Sequence, residues 1–128
     1  MFLGYRVDDP IVKPGDTIHL TLYWRALAKL DEDYTVFTHL LDNDGEIRGQ
    51  MDSQPLCGFL PTSIWPVGMV MVDHYELAVA PDAPPGEYRI EVGMYLLETM
   101  ERLPTFDKGG NRLPEDRILL DSKVQVGK

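Results

Sequence analysis

Seven polar and aromatic residues in or beside one loop have the types needed to hold a sugar: Gln50, Asp52, Gln54, Thr62, Ser63, Trp65 and Asp73. An indole face covers the C–H side of a sugar ring, while carboxylates and amides bond its hydroxyls. Trp65, Asp52, Gln50, Gln54 and Asp73 are therefore the candidate ligand-binding set. The same residues have a plainer reading, in which Trp65 seals the open end of a β-sandwich while Asp52, Thr62 and Ser63 satisfy loop amides. Tryptophan is highly buried on average, which favours the seal. The two readings part on one observable: whether the Trp65 ring meets solvent.

Other chemistry is weakly signalled. The DNDGE stretch sets Asp42, Asp44 and Glu46 around Gly45, like the opening of a calcium loop. An EF-hand, however, needs Gly at its sixth position and Glu at its twelfth. Here Gly45 is fourth and Ser53 is twelfth, so a tight hairpin turn is the better account. The histidines, His19, His39 and His74, are far apart and form no HExxH or i, i+2 pair that could hold a metal. The lone Cys57 permits no intrachain disulfide and reads as a small apolar filler. No GxSxG, Cys with a His partner, or glycine-rich phosphate loop occurs, and the acidic run Asp31, Glu32, Asp33 reads as solvated. The expectation is a non-enzyme with no catalytic residue, metal or cofactor.

The elements that position these residues are strands. The chain has 128 residues, enough for one domain over 1–128 with a core of its own. Alternation with period two recurs throughout. In DTIHLTLYWRA, Ile18, Leu20, Leu22 and Trp24 share one face; in GEYRIEVGMYLLE, Tyr88, Ile90, Val92, Met94 and Leu96 do. LGYRVDD reads as a short first strand, YTVFTHLLD as another, DG as a hairpin signal, and RILLDSKVQV as the last strand. The stretch 26–33, ALAKLDED, has the composition for one helical turn, and 53–68 reads as a long crossing loop. In MVMVDHYELAVA, Tyr75, Leu77 and Val79 lie on the parity opposite to Val70 and Val72, which predicts a bulge near Asp73. The sum is an all-β, immunoglobulin-like antiparallel β-sandwich of about seven to nine strands.

Twelve Lys and Arg against 21 Asp and Glu give a net charge of -9, which opposes nucleic acid and anionic lipid as partners. No apolar run approaches the ~20 residues that span a bilayer, so this segment is not expected to insert directly. MFLGYRVDDP has neither a basic start nor the apolar stretch of a secretory signal. The chain reads as cytoplasmic or as a soluble piece of a longer protein.

The succession PGDTIHLTLYW, DYTVFTHLLDNDGEIRGQMDSQP, PTSIWPVGMVMVDHYEL, APPGEYRIEVGMYLLETMERLP resembles a β-sandwich domain found as the soluble extension of bacterial multi-pass membrane glycosyltransferases of the dolichyl-phosphate-mannose mannosyltransferase-like type. The likeness runs from Leu3 to about Val126 and rests on Tyr23-Trp24, Phe37-Thr38-His39-Leu40, Asp52-Ser53-Gln54-Pro55 and Pro85-Gly86-Glu87-Tyr88. These are structural markers, and no catalytic residue carries over with them. The resemblance implies an accessory module on the extracytoplasmic side of the membrane, its partner being the remainder of a parent membrane protein. The chain departs from such parents in having no transmembrane segment or transferase motif of its own. Two alternatives stand beside this expectation: a carbohydrate-binding module gripping glycan through Trp65, and a protein-interaction or self-association domain using an edge strand.

Overall fold

The computed structural model describes residues 2–107 and 109–127, apart from the side chain of Cys57, so the reading of that residue as a filler lies outside what is described. The fold is all-β. Ten strands run β1 (Phe2–Val7), β2 (Ile11–Val12), β3 (Thr17–Arg25), β4 (Thr35–Leu41), β5 (Ile47–Ser53), β6 (Val70–Ala78), β7 (Gly86–Leu96), β8 (Glu101–Arg102), β9 (Ile118–Leu119) and β10 (Val124–Val126). One sheet has the order β1-β3-β6; the other, larger and curled, has β2-β10-β7-β4-β5, with β8 and β9 also on β7. Among the described residues the pairing departs from wholly antiparallel at one place: β10 runs parallel to β2. The strand count exceeds seven to nine because short pieces pair separately, and RILLDSKVQV splits into β9 and β10.

The alternating patterns of β3 and β7 translate directly into burial. Ile18, Leu20, Leu22 and Trp24 from β3 meet Val36 and Leu40 of β4 and Tyr88, Ile90, Val92 and Met94 of β7 in one core. Each such side chain removed from water contributes about 1.5–3 kcal/mol. The DG signal is realised as the β4–β5 hairpin, with Gly45 at φ +80°. There Asp42 Oδ1 accepts from the amides of Asp44 (2.9 Å) and Glu46 (3.0 Å), while its other oxygen meets Arg48 Nε at 2.8 Å. The Asp42 carboxylate thus holds a turn together.

Two local expectations are corrected. ALAKLDED forms bends and no helical turn, and the crossing loop contains short 3-10 turns at Pro55–Gly58 and Thr62–Ile64. No bulge occurs at Asp73, because β3 and β6 pair in unbroken register from Thr17↔Ala78 to Arg25↔Val70. The strand keeps one parity, so Met71, Asp73, Tyr75 and Leu77 point inward while Val70 and Val72 face out. The inference of a bulge assumed that the valines must be buried.

The two sheets approach closely where β5 meets the end of β6, with Ala80 N donating to Arg48 O at 2.8 Å. A methyl group on Gly49 would lie 2.6 Å from the Ala78 carbonyl oxygen, a backbone atom that cannot swing aside. Gly49→Ala is expected to lower stability by about 1–3 kcal/mol, seen as a lower urea midpoint. An unchanged midpoint would show that this corner opens freely.

Candidate functional site

The structure separates the candidate sugar-binding residues. Gln50 and Asp52 lie on the outer face of β5, opposite His39 and Phe37 of β4. Gln54 precedes the first 3-10 turn and makes no side-chain cap bond. Trp65 ends the second turn with only 4% of its surface exposed, and its Nε1–H donates to Leu60 O at 2.8 Å. Its ring belongs to the core and presents no face on which a sugar could stack. Thr62 is also buried: its hydroxyl donates to Glu32 O at 2.7 Å and accepts from Tyr34 N at 2.9 Å. Ser63 N donates to Asp33 Oδ1 at 3.1 Å, so the loop's polar groups bind the loop itself to the 31–33 segment.

Asp73 points into the molecule, 2% exposed, on a different sheet from Asp52. Its Oδ1 accepts from Leu56 N at 2.9 Å and its Oδ2 from the Tyr75 hydroxyl. Burial pushes its carboxyl above the ordinary range, against the pull of those donors. It anchors the first 3-10 turn to β6.

A cluster that the sequence did not reveal lies on the outer face of the larger sheet. His39 Nδ1 is 3.0 Å from Glu91 Oε2, and its Nε2 is 3.4 Å from Asp52 Oδ1. Glu91 Oε1 also takes Arg117 at 3.0 Å, and the Tyr95 hydroxyl donates to Asp52 Oδ2 at 3.1 Å. Beside them Phe37 is buried outside the main core, with the Arg102 guanidinium 4.6 Å above its ring. The ring fits because β7 has Gly93 at that point; a Cβ there would come within 2.5 Å of it. A glycine in the middle of the best-patterned strand was the available signal, since it marks a close approach. Nothing local in sequence links Glu91 to Arg117.

The segment covering this cluster is strained. Glu115 and Asp116 both adopt left-handed backbone, φ +59° and +49°, which costs roughly 1–2 kcal/mol per residue. Ion pairs hold them: Arg112 grips both oxygens of Asp116 at 2.9 Å, and Arg117 meets Glu115 at 2.8 Å.

A third feature is apolar. Phe59, Ile64, Val67, Met69, Val70 and Val72 are all exposed within 59–72, with Phe59 at 88%. The hydrogen bonds of Thr62 and Ser63 set the acidic run Asp31, Glu32, Asp33 beside Ile64. This stretch of chain therefore exposes apolar side chains, and acidic residues lie against its middle. β6 is an edge strand whose only ladder among the described residues is with β3.

Among the described residues, no group of three or more His, Cys, Asp or Glu is placed to hold a metal, and no helix is long and apolar enough to cross a membrane. No protein-family model matches the chain, and no curated protein matches it significantly.

The outer cluster has a defined pH signature. The hydrogen bond with His39, with help from Arg117, holds the Glu91 carboxyl down at about 2 against the effect of burial. A depressed carboxyl stabilises the fold above its ordinary value of 4.5, and that contribution disappears as pH falls towards 2. Glu91→Gln is expected to cost about 2 kcal/mol at neutral pH, with its deficit to wild type narrowing over that acidic interval. Urea midpoints at several pH values read this directly; a deficit independent of pH would contradict it.

Proposed function

We propose that this domain is a non-catalytic, immunoglobulin-like accessory sandwich of a larger membrane protein of the glycosyltransferase-like type, standing on the extracytoplasmic side. The observation that carries the reading is the exposed apolar stretch 59–72 with its acidic flank. Isolated exposed apolar residues are ordinary, but a run of this kind with a polar border marks a surface that another protein covers. The partner is a segment of the parent chain with an apolar ridge and neighbouring Lys or Arg, which complements both parts of the surface. The family resemblance supplies the class of parent. On the outer face, both His39 nitrogens are engaged by carboxylates, which suits a structural cluster better than a proton-transfer site.

The self-association reading keeps one support, the unladdered edge of β6. It competes with the parent chain for the same surface.

An antiserum against the folded domain, applied to membrane and soluble fractions of the source cells, is expected to mark a membrane species much larger than the domain. A soluble species of the domain's own mass would overturn the proposal. With a photoreactive residue at Val72, the domain is expected to cross-link to another segment of its own chain. Links between two copies of the domain would favour self-association instead, and links to lipid alone would rule out the docking face.

A further inference from the structure

The sheet edges among the described residues are guarded, with one exception. β1 has an irregular register between Phe2 and Gly4 and carries the exposed Arg6. β2 has only two residues and follows Pro10. The register of β5 shifts between Leu40 and Leu41 of its neighbour, and its Arg48 carbonyl is already taken by Ala80 N. β6 differs: nine residues in unbroken register with no Lys or Pro, and with Val70 and Val72 exposed at its start. Natural sheets shorten, bend or charge their edges because a plain strand recruits another. The first half of β6 has none of these protections.

The register also identifies the backbone groups that are open. Asp8 N donates to His19 O at 3.1 Å, so the odd-numbered residues of β3 serve β1, and Val79 N donates to Asp16 O at 2.8 Å. Odd-numbered residues of β6 therefore face β3, while the N–H and C=O groups of the even-numbered ones point to the free edge. Glu76 N is occupied there by the Met51 sulfur at 3.4 Å. Val70 and Val72 lie beyond that bond, and among the described residues their amides and carbonyls meet no partner. They offer two donors and two acceptors at the two-residue spacing of a ladder, with their side chains on the outer face.

We infer that this edge takes an extended polypeptide segment as a fourth strand, giving the order β1-β3-β6-added strand. The segment alternates, placing β-branched or aromatic side chains beside Val70 and Val72. It carries Lys or Arg, because the domain has a net charge of -9 and the loop before β6 is tied to Glu32 and Asp33. The same charge opposes a second copy of this chain as the added strand. That the segment belongs to the parent chain rests on the function proposed above; that the edge accepts a strand does not.

The probe is the peptide Lys-Thr-Val-Thr-Val-Thr-Lys, titrated into the ¹⁵N-labelled domain while amide exchange is followed. At saturation the Val70 and Val72 amides are expected to exchange at least about tenfold more slowly, with Met71 and Asp73, already in the β3 ladder, unchanged. Methylating both valine nitrogens of the peptide removes the donors that face the edge and is expected to abolish the protection. Methylating its central threonine nitrogen leaves protection intact. Glu in place of both Lys weakens binding severalfold. Val72→Pro removes a donor that the β3 ladder does not use, so the domain folds and the peptide no longer protects Val70. No protection at millimolar peptide, or equal protection by the two methylated peptides, would overturn the strand edge even if Val72→Pro does not fold. Equal binding of the Lys and Glu peptides would overturn the charge preference. In the parent protein, with a photoreactive residue at Ile64, Val72→Pro is expected to remove the cross-link to the parent's own chain. A link that persists would overturn strand addition by the parent. A link absent before the substitution would overturn the function proposed above and leave the peptide result standing.

Discussion

The structure depends on satisfying both edges of β7. Its central residues are buried on both faces, so every amide and carbonyl along it needs a partner within the protein. β4 supplies one edge in continuous register from Thr35↔Tyr95 to Leu41↔Arg89. The other edge is met in sequence by β10, β9 and β8, each only two or three residues long. The chain after Leu96 must therefore double back to reach β7 three times. That path carries Arg102 and Arg117 over the outer face of the sheet, where Phe37 and Glu91 are then buried. The left-handed pair at Glu115 and Asp116 is the local cost of that route, and the surrounding arginines hold it in place.

Two buried carboxylates show how differently the same group can be accommodated. Glu91 has a histidine and a guanidinium against it, and the ionised form is favoured strongly enough to overcome burial. Asp73 has an amide and a phenol hydroxyl, both neutral, and burial prevails. The first acid joins two strands to the covering segment through charge. The second fastens a turn to an edge strand through hydrogen bonds alone.

Much of the scaffold was legible in the sequence. The alternation in β3 and β7 gave the correct inward faces, and Asp42 with Gly45 marked the hairpin, because both signals arise from neighbours in the chain. The face of β6 was misread at Val70 and Val72. An apolar residue normally implies burial, yet here the unbroken ladder with β3 fixes parity and leaves both valines in solvent. The candidate sugar residues were close in sequence but fall on different sheets and faces, since β5 and β6 belong to opposite layers. The Glu91 cluster was invisible for the converse reason: Arg117 and His39 reach Glu91 only through the topology.

The parallel pairing of β2 with β10 bears on how the domain responds to mechanical load. Gln125 N donates to Pro10 O and Gly127 N to Val12 O, both at 2.8 Å. Because these strands run the same way, tension applied through the two ends of the chain pulls them in opposite directions along their length. The bonds between them then bear the force together, in shear, whereas an antiparallel terminal pair drawn apart from one end would unzip bond by bond. The short ladder between the second strand and the last is thus placed to meet such a load in shear.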